Sequence, residues 1–364
     1  MFYCPTRIIF ADDAIQKAKD KIAVLGKKAL LVSGEKSAKQ SGALSDLITV
    51  LNELEIHYVL FDRIKENPTL DSVMEGKQIF LQNNCDFVIG IGGGSPIDAA
   101  KAISLAAANS LNRDEIYNIA AFKNVYPIMA IPLTAGTGSE ATQYSVLSDP
   151  THKKKAGLGS DLAFPALAAI DPKYTLTLTP KVTMHTALDA LSHLLEGLYS
   201  NQRSPLVYPF IYKGIASIMK CLPRALSEPD NLAARKELMQ SALYGGIVIA
   251  QGSTTLQHSI GYPLTSNYNI PHGLANAMVM EDIMELYYPA ISKELNDLFA
   301  YLNLSKDAFY AWLRALPFER KIELSDTFIE EAIPQVMGSR NMALNPLPVS
   351  EEHIRIIFEH IRKS

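Results

Sequence analysis

Phe87-Val88-Ile89-Gly90-Ile91-Gly92-Gly93-Gly94-Ser95-Pro96-Ile97-Asp98-Ala99-Ala100-Lys101 is the stretch that decides how this chain folds. A short uncharged run, Phe87 to Ile91, reads as a buried strand. It ends in glycines, and the alanine-rich segment from Ser95 to Ala107 has the composition of a helix. Pro96 falls in the first helical turn, where its missing N–H costs nothing. Three glycines let backbone approach a guest closely, and the helix start aims free N–H groups at it. A pyrophosphate suits such a place, although a tight strand-to-helix turn with no ligand has the same residues.

Upstream, the pattern repeats. Ala29–Ser33 and His57–Phe61 read as strands, Ala43–Leu54 as a helix, and Thr69–Gln82 as a helix opened by Asn67-Pro68. Downstream, Pro127–Pro132 and Leu167–Ile170 read as further strands. Strand and helix alternating in this way predict βαβ units and a parallel sheet covered on both faces. Beyond Asp171 the rhythm changes. Thr183–Ser200, Leu232–Gln251, Gly273–Tyr288 and Asp307–Leu316 carry helical periodicity with no strand-like alternation between them. The expected division is an α/β dinucleotide-binding domain over 1–178 and an all-helical domain over 179–364, with the ligand site in the cleft between them.

The chain has 364 residues, 48% hydrophobic and 20% charged, with a net charge of -4. That balance suits a globular protein of two domains and argues against disorder. No basic block exceeds Lys153-Lys154-Lys155, so nucleic acid is not an expected partner. Cys4, Cys85 and Cys221 are odd in number and far apart, which fits a reducing compartment. Met1 to Asp13 has no basic start leading into an apolar stretch, and no apolar run reaches the ~18 residues of a membrane span. A soluble, cytoplasmic protein is expected.

A second small, hydroxyl-rich loop, Thr134-Ala135-Gly136-Thr137-Gly138-Ser139-Glu140, follows the Ile128–Ile131 strand. Both loops would lie at the C-terminal ends of parallel strands, where open α/β sheets bind ligands, and two such loops favour a dinucleotide. The first departs from the usual GxGxxG. Histidines supply the other signal. Asp189 and His193 are four apart and share a helical face, but so do His185 and Asp189, and spacing alone leaves both pairs open. His258 and His272 each adjoin Gly/Pro-containing turns. Three imidazoles and one carboxylate suit Fe²⁺ or Zn²⁺. His57, His152, His353 and His360 read as ordinary cap or surface residues.

GGGSPIDAAK at 92–101, TAGTGSE at 134–140, Asp189-x3-His193 and His258-x13-His272 together resemble the iron-dependent (group III) alcohol dehydrogenases, in order and over nearly the whole chain. The resemblance implies an N-terminal α/β nucleotide-binding domain and an all-α C-terminal domain. It places the metal ligands on Asp189, His193, His258 and His272, leaving His185 out. It places the pyrophosphate on Gly93, Gly94 and Ser95, with Asp98 close behind, and cofactor contacts on Thr134 and Thr137. Lys155 matches a lysine that reaches the nicotinamide-side ribose.

Relatives that prefer NAD carry an aspartate where this chain has Gly34. Gly34 removes the carboxylate that would repel a 2′-phosphate, while Ser37 and Lys36 can engage one, so NADP(H) is expected over NAD(H); Glu35 points the other way. Many members also carry a histidine four residues after the third ligand, where this chain has Tyr262. The proton then leaves through water and a ribose hydroxyl, or partly through Tyr262, a weaker relay at neutral pH. The expected reaction is hydride transfer between NADP(H) and a small primary alcohol or aldehyde, in a homodimer. The competing readings are a zinc glycerol dehydrogenase using NAD, a dehydroquinate synthase-like lyase and a non-catalytic relative.

Overall fold

Alternating apolar strands and helices build the first half: β1 (Arg7–Phe10), α1 (Ala14–Lys17), α2 (Lys19–Ile22), β2 (Lys28–Ser33), α3 (Ser37–Gln40), α4 (Ala43–Glu53), β3 (His57–Phe61), α5 (Leu70–Gln82), β4 (Phe87–Gly92), α6 (Gly94–Ala108), β5 (Ile128–Pro132), β6 (Tyr144–Asp149), β7 (Lys154–Gly159) and β8 (Leu167–Ile170). The computed structural model describes residues 2–151 and 154–363, so His152 lies outside the described residues. Six strands pair in parallel in the order β1-β8-β5-β4-β2-β3. Every residue of β4, β5 and β8 is buried, as a sheet covered on both faces requires.

Two apolar clusters fill the faces. Leu31, Leu47, Ile89 and Ile131 lie in one, and Leu30, Val73, Val88 and Ile103 in the other. From β2 the chain steps outward to β3, then returns across β2 to β4 and continues to β5. The direction therefore reverses between β2 and β4, the switch point at which doubly wound sheets open a crevice. The turn after β2 and the glycine loop after β4 flank it.

The second half is helical: α7 (Pro180–Tyr199), α8 (Tyr208–Ser227), α9 (Leu232–Gly252), α10 (Leu256–Tyr268), α11 (His272–Met278), α12 (Met280–Leu302), α13 (Lys306–Ala315), α14 (Asp326–Met337) and α15 (Glu351–Ile361). Thr179 caps α7 by accepting from the Val182 N–H, with Pro180 at the first helical position. From Ala187 to Tyr199 every residue of α7 is buried, so this helix is the spine of the helical core. Among the described residues no helix is long and apolar enough to cross a membrane.

Three features differ from the sequence reading. The segment between the second loop and β8 forms an antiparallel hairpin, β6 with β7. Its strands are short and carry Ser, Asp and Lys, so Lys155 read as part of a charge block rather than of a strand. The segment read as one helix over Gly273–Tyr288 is two, α11 and α12, meeting at Val279. Edge strand β1, only four residues long, carried no signal.

The loop over 134–140 is clamped between the halves by backbone contact. Gly138 has φ of 61°, and a Cβ there would lie 2.5 Å from the Gly246 Cα on α9. Only glycine at both positions allows this approach.

Candidate active site

The glycine loop and the second loop meet at the carboxyl edge of the sheet, where Gly92 of β4 pairs with Pro132 of β5. Helix α6 starts at Gly94, with Gly93 at its cap position in extended conformation. A Cβ on Gly93 would sit 3.2 Å from Thr134 Oγ1, and one on Gly94 would sit 2.8 Å from Thr137 Cγ2. Gly93 and Gly94 thus face Thr134 and Thr137, bringing together four of the residues singled out in the sequence. Ser95 accepts a hydrogen bond from the Asn67 N–H at 3.2 Å.

Asp98 sits one turn into α6 and is turned to the hairpin. Its Oδ1 accepts from Ser139 Oγ at 2.5 Å and its Oδ2 from the Val146 N–H at 2.9 Å, while burial pushes its carboxyl up. Lys101, fully buried, donates to Ser139 Oγ, Thr142 Oγ1 and the Tyr144 carbonyl. These two residues fasten α6 to the second loop and to β6. On the other side of the switch point, Gly34 lies beside Ser37, and Glu35, Lys36 and Ser37 are all exposed.

The histidine cluster forms where α7, α10 and α11 converge. One metal-ligating atom from each of Asp189, His258 and His272 lies within 4.8 Å of the others. The Nε2 atoms of His258 and His272 are each 3.9 Å from Asp189 Oδ1. His193 Nε2 is 3.1 Å from His258 Nε2, and the two rings stack at 4.8 Å between centroids. His185 is half-buried one turn earlier on α7, whereas His193 reaches the group through His258 Nε2. His353 caps α15 and His360 pairs with Asp282 on the surface, as ordinary residues do.

Sequence reasoning missed two further members. Glu196, wholly buried on α7, accepts from the Thr255 N–H at 2.6 Å and from Thr255 Oγ1 at 2.9 Å. It also accepts from His258 Nδ1. Burial opposes both charges, yet the mutual attraction holds the Glu196 carboxyl down and the His258 imidazole up. In the neutral ring the contact with Glu196 keeps the proton on Nδ1 and leaves Nε2 bare toward the cluster. The signal was available: Glu196 is three residues after His193 and is the charged group in the run Leu194-Leu195-Glu196-Gly197-Leu198. The second is Asn276, fully buried one turn after His272, with its Nδ2 3.2 Å from His258 Nε2 and 3.3 Å from Asp189 Oδ1.

The donor set fits a divalent ion. The Asp189 oxygen and the His258 and His272 nitrogens lie within 4.8 Å of one another, the two 3.9 Å separations matching the roughly 3–4 Å between ligand atoms bonded at about 2.0–2.2 Å to one centre, while His193 adjoins this trio through His258 Nε2 at 3.1 Å. Burial lowers His193 and lowers His272 strongly, so both favour the neutral form that ligates. The cluster opens at His272, whose side chain is 24% exposed against 3% for His258. There Tyr262 stacks on His272 at 5.4 Å, and Lys155 Nζ stands 5.7 Å from the Tyr262 ring centroid. Lys155 donates to Asn67 Oδ1 at 2.8 Å, and burial lowers its ammonium. Burial raises the Tyr262 phenol.

Comparison with known proteins gives the family. Residues 5–172 match the family described as iron-containing alcohol dehydrogenase, and residues 183–361 match the C-terminal part of the Fe-containing alcohol dehydrogenase family. The long-chain primary alcohol dehydrogenase AdhA of Thermoanaerobacter ethanolicus is 32% identical over 304 residues, 82% of this chain and 76% of that one. An iron-containing alcohol dehydrogenase from Thermotoga maritima is similar in structure, with a TM-score of 0.94, 35% identity and 99% of each chain covered. A sulfoacetaldehyde reductase from Bifidobacterium kashiwanohense, solved in complex with NAD+, superposes with a TM-score of 0.88 at 25% identity, covering 99% of this chain and 98% of that one. The chain belongs to the iron-containing alcohol dehydrogenase family, a family of oxidoreductases.

Proposed function

We propose that this chain transfers a hydride between NADP(H), in preference to NAD(H), and a small primary alcohol or aldehyde, at a divalent ion, Fe²⁺ or alternatively Zn²⁺, held by Asp189, His193, His258 and His272. One observation carries the reading: an unbroken line of contacts runs from the glycine loop to the histidine cluster. Ser95 accepts from Asn67, Asn67 accepts from Lys155, Lys155 faces Tyr262, and Tyr262 stacks on His272. A nicotinamide cofactor on the loops would therefore end beside the metal ligands. The primary-alcohol class follows the Thermoanaerobacter relative.

A bound divalent ion supplies Lewis-acid polarisation of the substrate oxygen and offsets the negative charge that develops on it. The chain's own groups do the rest. The N–H groups at the start of α6 bind pyrophosphate oxygens, where the helix dipole favours anions. Thr134 and Thr137 line the same edge, and Asp98 braces it from behind. Lys155 orients the ribose beside the nicotinamide. Tyr262, its phenol raised by burial, keeps its proton at neutral pH and serves as a wall and donor rather than a base. Gly34 leaves room for a 2′-phosphate, with Lys36 and Ser37 beside it.

The test is anaerobic oxidation of NADPH by butyraldehyde with Fe²⁺-loaded protein, followed by nicotinamide absorbance with NADH in parallel. Turnover favouring NADPH is expected. Turnover favouring NADH would overturn the assignment of the Gly34–Ser37 turn, and absence of turnover with every small aldehyde would overturn the reaction.

A further inference from the structure

Metal-ligating side chains are held in place by partners of their own, and losing such a partner weakens metal binding. In this site His258 has Glu196. The corresponding question for Asp189 leads to Asn276. Its side chain is fully buried, and its Nδ2 lies 3.3 Å from Asp189 Oδ1, 3.2 Å from His258 Nε2 and 3.5 Å from His272 Nε2. Among the described residues it is the side-chain donor within hydrogen-bond distance of the Asp189 carboxylate.

The amide is fixed in that position from three sides. Asn276 follows His272 by four residues on α11, so both project from one helical face into the cluster. Its backbone carbonyl accepts from Gln257 Nε2 at 2.9 Å, tying α11 to α10. Its Oδ1 lies over Gly261, where a Cβ would be 2.1 Å away, so the absence of a side chain at Gly261 makes space for the amide. That Oδ1 is buried and has no partner, which means the amide is not held there by its carbonyl end.

We infer that Asn276 is a positioning residue of the metal centre, whose side-chain N–H holds the Asp189 carboxylate in its ligating orientation. An imidazole lone pair committed to an ion accepts no hydrogen bond, whereas a carboxylate oxygen keeps a second lone pair. With the ion in place, Asp189 is therefore the acceptor for the amide. The inference rests on the reading of Asp189, His193, His258 and His272 as metal ligands.

The test uses the full-length protein and its Asn276→Ala variant, each alone and with Asp189→Asn. Zn²⁺ affinity is measured by competition with a chromophoric chelator. Co²⁺-loaded protein gives a visible spectrum that reports the geometry of loaded, folded molecules alone. Asn276→Ala is expected to weaken Zn²⁺ binding by about 10–100-fold and to shift the Co²⁺ bands. In the Asp189→Asn background the same change is expected to have less than about a twofold effect, because the group it acts through is altered. An equal loss in both backgrounds would mean a packing role and overturn the proposal, as would unchanged affinity and an unchanged Co²⁺ spectrum in the single variant. Failure of the wild-type protein to bind Zn²⁺ or Co²⁺ at this site would instead overturn the ligand assignment itself.

Discussion

Replacing Glu196 with Gln changes one atom in a sealed site, and the structure dictates how the amide must turn. The Thr255 N–H and hydroxyl both donate to one carboxylate oxygen, at 2.6 and 2.9 Å. The glutamine carbonyl stays there to accept them, which turns its NH₂ toward His258 Nδ1. That ring nitrogen must then accept, so the imidazole proton moves to Nε2, the atom facing the metal position. Metal binding has to restore the original tautomer and leave two N–H groups facing each other. A buried unsatisfied donor costs about 1–3 kcal/mol. At about 1.4 kcal/mol per tenfold, the expected loss of metal affinity is roughly 10–100-fold. Glu196→Ala leaves His258 free to choose its tautomer. It is expected to lose less affinity than Glu196→Gln, although it removes more packing. Zn²⁺ competition with a chelator, with thermal unfolding as a control on folding, reads both. Equal affinity of Glu196→Gln and wild type, or a greater loss in Glu196→Ala, would refute the tautomer argument.

Two other predictions concern the cofactor edge and pH. Gly34→Asp is expected to turn the preference from NADPH toward NADH. A carboxylate about 4 Å from the 2′-phosphate costs about 1–4 kcal/mol between aqueous and near-surface dielectrics, so the ratio of kcat/KM values should move at least about fivefold; no change would place the 2′ position elsewhere. Glu140 is buried, and that burial pushes its carboxyl from 4.5 up to about 7. Between those values the folded protein keeps a proton that the unfolded chain has lost, so stability falls as pH rises. Glu140→Gln escapes this. Its unfolding free energy is expected to match wild type at about pH 4 and below and to exceed it by up to about 3 kcal/mol near pH 8. A gap independent of pH in denaturant titrations would contradict it.

The parts of this protein that were legible in its sequence are those in which composition and function coincide. The Phe87–Ile91 run read as a buried strand, and Gly93 and Gly94 after it are there because Thr134 and Thr137 stand where side chains would be. The helical half announced itself by periodicity alone. Asp189 and His193 were visible as a four-residue pair, but choosing them over His185 needed the family resemblance, because helical spacing treats both alike. The members that were missed support others. Glu196 looked like one charge in an apolar helix, and Asn276 is a residue type with no chemistry until its neighbours are known. Lys155 reaches the site from β7, in a hairpin whose short polar strands carry little pattern. The interlock of Gly138 with Gly246 joins residues more than a hundred apart in sequence and leaves no local trace.

The central claim is that the Asp189–His193–His258–His272 cluster holds an ion that the reaction requires. The most direct test measures metal content and NADPH-linked aldehyde reduction together, in wild type stripped with a chelator and then reloaded anaerobically with Fe²⁺, and in His258→Ala treated the same way. The account predicts that stripping abolishes turnover, that about one equivalent of Fe²⁺ restores it in wild type, and that His258→Ala recovers neither metal nor activity. Full turnover in metal-free wild-type protein, or an active His258→Ala variant without metal, would contradict it.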